Sequence, residues 1–466
     1  MLPTGIQPTR IQTLDAGTPP AGGRYVLYWM QQAQRAAENH ALEYAIFRAN
    51  QLKLPVVVGF GLTDAYPEAN LRHYSFMLAG LLETAEALAK RGIPLVCRRG
   101  EPPQVALALA REAALLVCDV GYCRHQKAWR TLVGRQASCP VVQVESDVVV
   151  PVAAASPKAE YAARTLRPKL QRLLPDYLVP PPQLTAAHSA LGLDLEGLAI
   201  DGGPAALLAD LNIDRGIAAV SRFFPGGTAA AKKRFERFLT ERLCRYNRNS
   251  NQPQTDDVSG MSPYLHFGQV SPLYLALTLH KHTAASPPDR DAYLEELIVR
   301  RELAVNFVHY TPDYDRFGCL PEWARKTLAD HAADPRPHLY QREALEAAET
   351  HDPYWNAAMR EMTATGFMHN YMRMYWGKKV LKWSPSPAAA FETLLALNNR
   401  YFLDGRDPNS FAGVAWVFGM HDRAWPERAV FGKVRSMTAA GLERKCDIRA
   451  YVAKVSRRAA ADASVP

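Results

Sequence analysis

The chain has 466 residues, of which 48% are hydrophobic and 22% are charged, which allows two folded domains and excludes a disordered protein. Lys and Arg outnumber Asp and Glu by 55 to 46, and the formal net charge of +9 suits a polyanionic partner. No run approaches the ~18 apolar residues of a membrane span, and the N-terminus lacks a signal-peptide pattern. We therefore expect a cytoplasmic protein without membrane contact.

Short apolar runs alternate with helical patterns over the first third of the chain, after a Pro/Gly-rich arm at residues 1–23. Five of the apolar runs read as buried strands, at residues 24–30, 55–62, 94–100, 114–120 and 140–150. Because strands separated by helices form βαβ units, residues 24–150 are predicted to be an α/β domain with an open, Rossmann-like parallel sheet. Neither G-x-G-x-x-G nor G-x-x-x-x-G-K-[ST] occurs, which argues against the two common phosphate loops.

The composition changes after residue 150. Residues 151–216 include "VPPPQL" and a Gly/Leu/Ala-rich stretch, and they read as an interdomain connector. From residue 217 to residue 466 a period of 3.6 residues dominates, which predicts an all-α domain. The seven cysteines do not have zinc-ligand spacing, so we predict no metal site, and we assign Cys118 and Cys123 a structural role.

Basic and aromatic residues are mixed in two parts of the helical domain. Residues 421–466 contain ten basic and five acidic side chains, and residues 366–387 contain four basic and no acidic ones. Such a surface can hold a phosphate backbone and also stack against an unpaired base. The alternative is that these residues form an ordinary solvent-exposed surface that binds no nucleic acid.

Several motifs of the helical domain also have an ordinary structural explanation. Ser262 stands just before a proline, which is typical of a helix N-cap, and the free amides of such a terminus also bind phosphate. Glu296 and Arg300 have the i, i+4 spacing of a surface ion pair. Trp376 and Trp383 share one face of a predicted helix, ~10 Å apart along its axis, as a packing stripe would.

Taken together, "EYAARTLRPK", "SPYLHFGQVSP", "EELIVRREL", "MRMYWGKK" and "FLDGRDPNSFAGVAWVFGMHDRAW" resemble, in sequence and in order, segments of the photolyase/cryptochrome flavoproteins. Within that family the chain is most similar to the class II cyclobutane pyrimidine dimer photolyases, and the similarity runs through both domains. The resemblance implies flavin adenine dinucleotide (FAD) in the helical domain and double-stranded DNA containing pyrimidine dimers as substrate. It implies no obligate protein partner.

The resemblance also implies which residues hold the FAD. Tyr246 and residues 258–265 contact the pyrophosphate and ribityl chain, Arg373 and Asp404 form an ion pair against the flavin, and Asn398 lies at flavin N5. The full implied set is Tyr246, Val258, Ser259, Gly260, Met261, Ser262, Leu265, Arg301, Arg373, Asn398, Asp404 and Asp407.

A second implied set faces the DNA. Glu296 is the carboxyl group that hydrogen-bonds the dimer, and Glu295 takes its place if the register differs by one residue. Lesion and backbone contacts are implied for Arg300, Tyr371, Met374, Trp416, Arg423, Lys433 and Arg435. Lys378, Lys379 and Lys382 are further candidates for phosphate contacts.

The resemblance offers a second explanation for the tryptophan stripe. Trp376, Trp355 and Trp383 stand where class II photolyases keep three tryptophans that relay electrons to the flavin. Trp376 is then the immediate donor, and Trp383 is expected to be the exposed terminus.

One segment departs from the family pattern. Residues 118–126, "CDVGYCRHQ", keep only the spacing of Asp119 and Arg124, so a deazaflavin antenna, another chromophore or none remain open alternatives. We predict light-driven repair of cyclobutane pyrimidine dimers, in the cytoplasm and on the nucleoid if the source is prokaryotic. The alternatives are a cryptochrome-like blue-light receptor and a non-catalytic DNA-binding flavoprotein.

Overall fold

The computed structural model describes residues 1–20, 22–200 and 202–463, which form two compact units. The sheet unit and the helical unit each combine three segments of the chain. The segments of the sheet unit are Met1–Pro157, Arg167–Glu236 and Gly260–Thr283. The segments of the helical unit are Lys158–Leu166, Arg237–Ser259 and the chain from Ala284 onward. The domain limits expected from the sequence are single positions along the chain, and they stay predictions.

The sheet unit contains one six-stranded sheet. Its strands are β1 (Ile11–Asp15), β2 (Tyr25–Trp29), β3 (Val56–Leu62), β4 (Leu95–Arg99), β5 (Ala113–Asp119) and β6 (Val141–Val144). Their spatial order is β1-β6-β5-β2-β3-β4; β1 pairs antiparallel with β6, and the other neighbours are parallel. The five predicted strands are therefore present, and β1 was missed within the predicted N-terminal arm.

The burial of the strands explains which of them could be predicted. Every residue of β2, β3 and β5 is buried, because helices cover both faces of the central sheet, and these strands read as continuous apolar runs. By contrast, β1 is a half-exposed edge strand whose five residues include Gln12 and Asp15. Its sequence therefore lacks the apolar run that identified the others.

Twenty-one α-helices surround the sheet or build the helical unit in the described residues. The first eleven are α1 (His40–Leu52), α2 (Leu71–Ala89), α3 (Pro102–Ala110), α4 (Arg124–Gln136), α5 (Val152–Ala155), α6 (Ala163–Tyr177), α7 (Gly203–Ala209), α8 (Thr228–Glu241), α9 (Tyr246–Asn249), α10 (Ser262–His266) and α11 (Pro272–Lys281). The last ten are α12 (Pro287–Leu294), α13 (Arg301–Tyr310), α14 (Glu322–Asp330), α15 (Arg342–Glu346), α16 (Pro353–Thr365), α17 (Asn370–Trp383), α18 (Pro387–Tyr401), α19 (Pro408–Val417), α20 (Ala439–Lys445) and α21 (Ile448–Ala463).

A π-helix, Glu295–Arg300, joins α12 to α13, and three short 3-10 helices lie at Pro8–Arg10, Leu243–Arg245 and Phe317–Cys319. Among the described residues the helical unit contains no strand longer than an isolated bridge. The predicted fold class, an α/β domain followed by an all-α domain, is confirmed. No helix in the described part of the chain is long and apolar enough to cross a membrane.

Side-chain caps fix where the helices of the candidate site begin. Asp352 accepts hydrogen bonds from the amides of Tyr354 and Trp355 at the start of α16. Ser386 caps α18, and Asp407 caps α19 by accepting from the amide of Asn409 at 2.8 Å. A proline follows each cap, where its missing N–H costs nothing. These local signals set the start of the helices that carry the tryptophans and the predicted flavin contacts.

Candidate active site in the helical unit

The three tryptophans expected to relay electrons are in contact, and we call them the tryptophan relay: Trp376, Trp355 and Trp383. The ring centroids of Trp376 and Trp355 are 6.5 Å apart with planes at 12°, and those of Trp355 and Trp383 are 5.6 Å apart. The indole N–H of Trp355 donates to the carbonyl of Trp376 at 3.0 Å. Trp355, on α16, therefore lies between the two tryptophans of α17.

The outer end of the relay differs from the expectation. Trp383 is only 2% exposed, so its expected role as an exposed terminus is wrong. Its indole packs against Tyr340 at 5.4 Å and His351 at 5.2 Å between ring centroids. The Tyr340 hydroxyl is 2.7 Å from Nδ1 of His351, whose side chain is exposed. The relay thus ends one aromatic layer below the surface.

Arg373 and Asp404 form the predicted ion pair. Nη2 of Arg373 is 3.0 Å from each carboxylate oxygen of Asp404, so one guanidinium nitrogen is shared between the two oxygens. The guanidinium also lies 3.9 Å from the ring centroid of Phe402, which in turn packs 6.1 Å from the ring of Trp376. Phe402 therefore connects the ion pair to the inner end of the tryptophan relay.

Asn398 lies in the same corner of the helical unit. It is buried, its amide Nδ2 donates to Oδ1 of Asn399 at 3.0 Å, and its Oδ1 accepts from the Ser410 hydroxyl at 3.4 Å. The same hydroxyl is 2.9 Å from the carbonyl of Asp404. Ser410 thereby links Asn398 to Asp404 of the ion pair through hydrogen bonds. Asp407 caps the first turn of α19.

The two carboxylates of the "EELIVRREL" motif have different surroundings. Arg300 pairs with Glu295 at 3.0 Å, not with Glu296 as the i, i+4 spacing suggested. The reason is the π-helix, because its wider turn brings residues five apart together. Glu295 is thus engaged and Glu296 is not bound to Arg300, which favours Glu296 as the residue available to a substrate.

Glu296 has a perturbed carboxyl group. Although its side chain retains contact with solvent, partial desolvation by the surrounding protein raises its pKa; Arg300 opposes this shift and Glu295 adds to it. The negative charge of Glu296 in turn contributes to the raised pKa of Tyr246, after the larger effect of burial. Glu296 and Tyr246 are therefore neighbours in the helical unit, and Glu296 keeps a proton to higher pH than an ordinary glutamate.

The segment expected to hold the pyrophosphate is divided between the units. In the helical unit, Tyr246 packs edge-on against Tyr293, whose hydroxyl donates to Oγ of Ser259 at 3.1 Å; Val258 is half-buried. In the sheet unit, Gly260 adopts φ +66°, a backbone conformation that favours glycine. The other implied residues of this segment are Met261, Ser262 and Leu265.

One detail of this segment corrects the sequence analysis. Helix α10 begins at Ser262, its N-cap is Met261, and no side chain caps it, so the assignment of Ser262 as N-cap is wrong. Arg301, at the start of α13, is 9% exposed and therefore buried in the helical unit.

Two lysines that were candidates for DNA contacts are buried. Lys378 is 0% exposed and donates to the carbonyl of Val417. Lys379 is 8% exposed and pairs with Asp352 at 2.9 Å. Neither ammonium can reach a phosphate backbone, so both expectations are wrong; Lys382 is exposed and remains a candidate.

Three other predicted DNA contacts, Trp416, Arg423 and Arg435, form a cluster with Trp425, which the sequence analysis did not assign to DNA binding. We call these four residues the cationic aromatic cluster. The guanidinium of Arg435 lies 5.7 Å from the ring of Trp416 and 4.9 Å from that of Trp425, and Arg423 lies 5.2 Å from Trp425. These residues are exposed or half-buried, as are Lys433, Tyr371 and Met374. The cluster offers flat rings and positive charge together, which suits nucleic acid.

The sheet unit has a separate aromatic group at the carboxyl ends of its strands. The rings of Tyr66, His125 and Trp129 contact one another edge-on at 5.0 to 6.0 Å. Asp119 is buried, and its carboxylate accepts from the Tyr28 hydroxyl at 2.7 Å and from two backbone amides. Asp119 therefore has a structural role in closing the end of β5.

The residues of the helical unit fit a flavin. A partly buried ion pair, a buried amide and the ring of Phe402 are linked to one another, and Phe402 packs against Trp376, whose indole N–H is buried without a hydrogen-bond partner among the described residues. Such an orphaned donor is uncommon in a protein interior and agrees with a polar group beside it. The described residues contain no group of three potential metal ligands.

Residues 26–186 match the model of the DNA photolyase family. The chain is 50% identical over 97% of its length to a deoxyribodipyrimidine photo-lyase of Methanothermobacter thermautotrophicus, and it covers 98% of that protein. This chain belongs to the DNA photolyase family. It is also 41% identical to the deoxyribodipyrimidine photo-lyase of Oryza sativa, over 97% of this chain and 91% of that one.

A solved structure supports the fold of this photolyase family member. The class III photolyase of Agrobacterium tumefaciens superposes with a TM-score of 0.72 at 17% identity, over 95% of this chain and 88% of that chain. The family predicted from the sequence motifs is confirmed, and photolyase family proteins bind FAD.

Sequence reasoning missed some members of this photolyase site. Phe402, Asn399 and Ser410 link the predicted residues to one another. Phe402 and Ser410 lie within the motif that begins "FLDGRD", whereas Asn399 stands just before it on α18. The motif was therefore a signal for the region, but no sequence pattern showed that Phe402 contacts Trp376.

Proposed function

We propose that this chain is a class II deoxyribodipyrimidine photolyase, which splits cyclobutane pyrimidine dimers in DNA under blue light. The observation that carries the proposal is a series of contacts in a chain half identical to a named photo-lyase. The series runs from Asn398 through Ser410 and Asp404 to Arg373, and from there through Phe402 to the tryptophan relay. When bound, light-excited reduced FAD supplies the electron that opens the dimer.

The residues around the flavin have distinct roles in this proposal. Arg373 and Asp404 orient the cofactor. The Asn398 side-chain amide can form a hydrogen bond with flavin N5 whether N5 is protonated or not, since an amide both donates and accepts. Tyr246 and Ser259, both in the helical unit, hold its phosphate and ribityl parts. The tryptophan relay carries electrons inward, because indole is readily oxidised and neighbouring rings are in contact.

The lesion side uses different residues. The pKa of Glu296 is raised, and in its protonated form its carboxyl group donates a hydrogen bond to a carbonyl oxygen of the dimer and stabilises the negative charge that develops there. Trp416 packs against the dimer after it has flipped out of the duplex. Arg423, Lys433 and Arg435 bind backbone phosphates.

The experiment is repair of a dimer-containing oligonucleotide. Purified protein with reduced FAD should restore the dimer to its two pyrimidines under blue light, as seen by the recovery of absorbance near the thymine band, and should not do so in the dark. Absence of repair by a protein that contains reduced FAD and binds the oligonucleotide would favour the cryptochrome-like receptor or the non-catalytic flavoprotein.

The identity of a second chromophore is a separate proposal. The aromatic group at Tyr66, His125 and Trp129 offers flat surfaces at the strand ends where open α/β sheets bind ligands. An absorption spectrum of the purified protein distinguishes a deazaflavin or another chromophore from FAD alone, and the substitution Trp129→Ala should release such a chromophore.

A further inference from the structure

Trp416 lies between the positive charges of two side chains. Nζ of Lys378 is 4.9 Å from its ring centroid, and the guanidinium of Arg435 is 5.7 Å away. The two cations differ in their surroundings. Arg435 is half-buried within the cationic aromatic cluster. Lys378 is a residue of helix α17, and its side chain is 0% exposed.

Lys378 is an unusual interior residue. Within the described part of the chain no carboxylate lies within ion-pair distance of its ammonium; its one hydrogen bond is to the carbonyl of Val417, the last residue of α19. Burial lowers its pKa to about 7, with Asp422 opposing the shift and Arg435 adding to it. A buried ammonium without a counter-ion costs free energy, and an apolar side chain would fill the same space at lower cost.

The backbone is arranged so that Lys378 can make these contacts. Gly377 precedes it on α17, and a Cβ at that glycine would stand only 2.5 Å from Cγ2 of Val417. Any larger residue would therefore separate the two helices. The close approach allows one ammonium to hold both the Val417 carbonyl and the ring of the preceding residue, Trp416.

We propose that Lys378 is a positioning residue for substrate binding, which fixes the indole of Trp416 in the orientation that packs against the flipped dimer. The inference rests on the proposed function, since it assigns Trp416 to the lesion. A cation against a ring face resists tilting of the ring, and the hydrogen bond to Val417 keeps the end of α19 from unwinding.

The test compares Lys378→Met with Lys326→Met. Methionine has nearly the length of lysine without its charge, and Lys326 is an exposed lysine on α14 outside the site. Dissociation constants are measured for a dimer-containing duplex and for the same duplex without the dimer, together with the thermal unfolding midpoint and the FAD content. We expect Lys378→Met to weaken dimer binding by about three- to tenfold and to leave undamaged DNA binding unchanged.

Two further readouts separate positioning from simple packing. Removing a buried unpaired charge should leave the unfolding midpoint unchanged or higher, whereas loss of a packing residue would lower it. In a Trp416→Phe background, Lys378→Met should have little additional effect on dimer binding, since the two side chains act as a unit.

Undiminished dimer binding in Lys378→Met would overturn the inference. So would equal losses for both duplexes with a lower midpoint, or a full additional loss in the Trp416→Phe background. If the wild-type protein did not prefer the dimer-containing duplex, the result would instead contradict the proposed function and this inference with it.

Discussion

The tryptophan relay and the cationic aromatic cluster use the same residue type in opposite surroundings. The three relay tryptophans are 0 to 3% exposed, and the ammonium of Lys379, 5.4 Å from the ring of Trp383, is balanced by Asp352. Trp416 and Trp425 are partly exposed beside Arg435, which has no carboxylate within ion-pair distance in the described residues.

This difference decides what each indole can do. Oxidation of an indole creates a positive charge, and an unbalanced cation at about 5 Å opposes it, most strongly where the dielectric constant is low. Exposed rings beside cations instead suit phosphates and bases. The surroundings of the relay therefore favour the proposed electron transfer, and those of the cluster favour the proposed DNA binding.

The largest expected effect comes from breaking the relay at its inner end. Trp376→Phe keeps most of the ring packing but removes the readily oxidised indole, so photoreduction of oxidised FAD with an external reductant should be lost almost completely. The same variant, reduced chemically in the dark, should repair dimers at near the wild-type yield. Trp323→Phe, on α14 outside the relay, is the matched control. Normal photoreduction in Trp376→Phe would make the relay a packing stripe.

The charge balance of the relay gives the next effect. Asp352→Asn leaves Lys379 buried without its partner and should lower the free energy of unfolding by about 3 kcal/mol. Burial acts to raise the pKa of Asp352, but hydrogen bonds from Tyr375 and Lys379 outweigh it and lower the pKa. The carboxylate therefore stabilises the wild-type protein above its unfolded-state pKa of about 3.9, and this contribution is lost as the pH falls through the lower folded-state value.

Chemical denaturation at neutral pH and at pH values below about 3.9 checks this prediction. The control is Asp330→Asn, which breaks an exposed pair with Lys326 and should change stability by no more than about 1 kcal/mol. Equal effects of the two substitutions would show that Lys379 does not depend on a buried partner.

A smaller effect separates the lesion chemistry from the relay. Glu296→Ala should reduce the repair yield per absorbed photon roughly tenfold, through loss of a hydrogen bond to the developing charge, and should leave photoreduction unchanged. In the wild type the yield should fall as the pH rises through the raised pKa of Glu296, because the protonated form is the donor. Glu295→Ala is the matched control. Impairment of Glu295→Ala alone would transfer the role to that residue.

The smallest effect tests the binding role of the cluster. Arg435→Ala should weaken binding of undamaged duplex a few-fold and reduce the slope of log K against log salt concentration by about one contact. Arg342→Ala, which removes an exposed arginine paired with Glu346 outside the site, should leave the slope unchanged. A wild-type affinity independent of salt would contradict phosphate binding altogether.

Local patterns were sufficient for much of the fold. The strands β2, β3 and β5 were predicted because each is buried on both faces and therefore reads as an apolar run. The edge strand β1 was not, since half of it faces solvent. In the same way the spacing of Trp376 and Trp383 predicted a shared helix face but could not show that Trp355, from another helix, lies between them.

The sequence by itself determined the five parallel strands of the sheet and the change to an all-α domain, the basic and aromatic composition of that domain, and, through its motifs, the family. Only the tertiary structure decided which basic residues are available. Lys378, Lys379 and Lys382 look equivalent along α17, yet the first reaches the end of α19, the second pairs with Asp352 and the third is exposed. The π-helix likewise decided that Arg300 pairs with Glu295. The partners of the lysines belong to other elements of the fold, and the partner of Arg300 is set by the wider turn of the π-helix. The spacing of residues along one regular helix predicts neither kind of pairing.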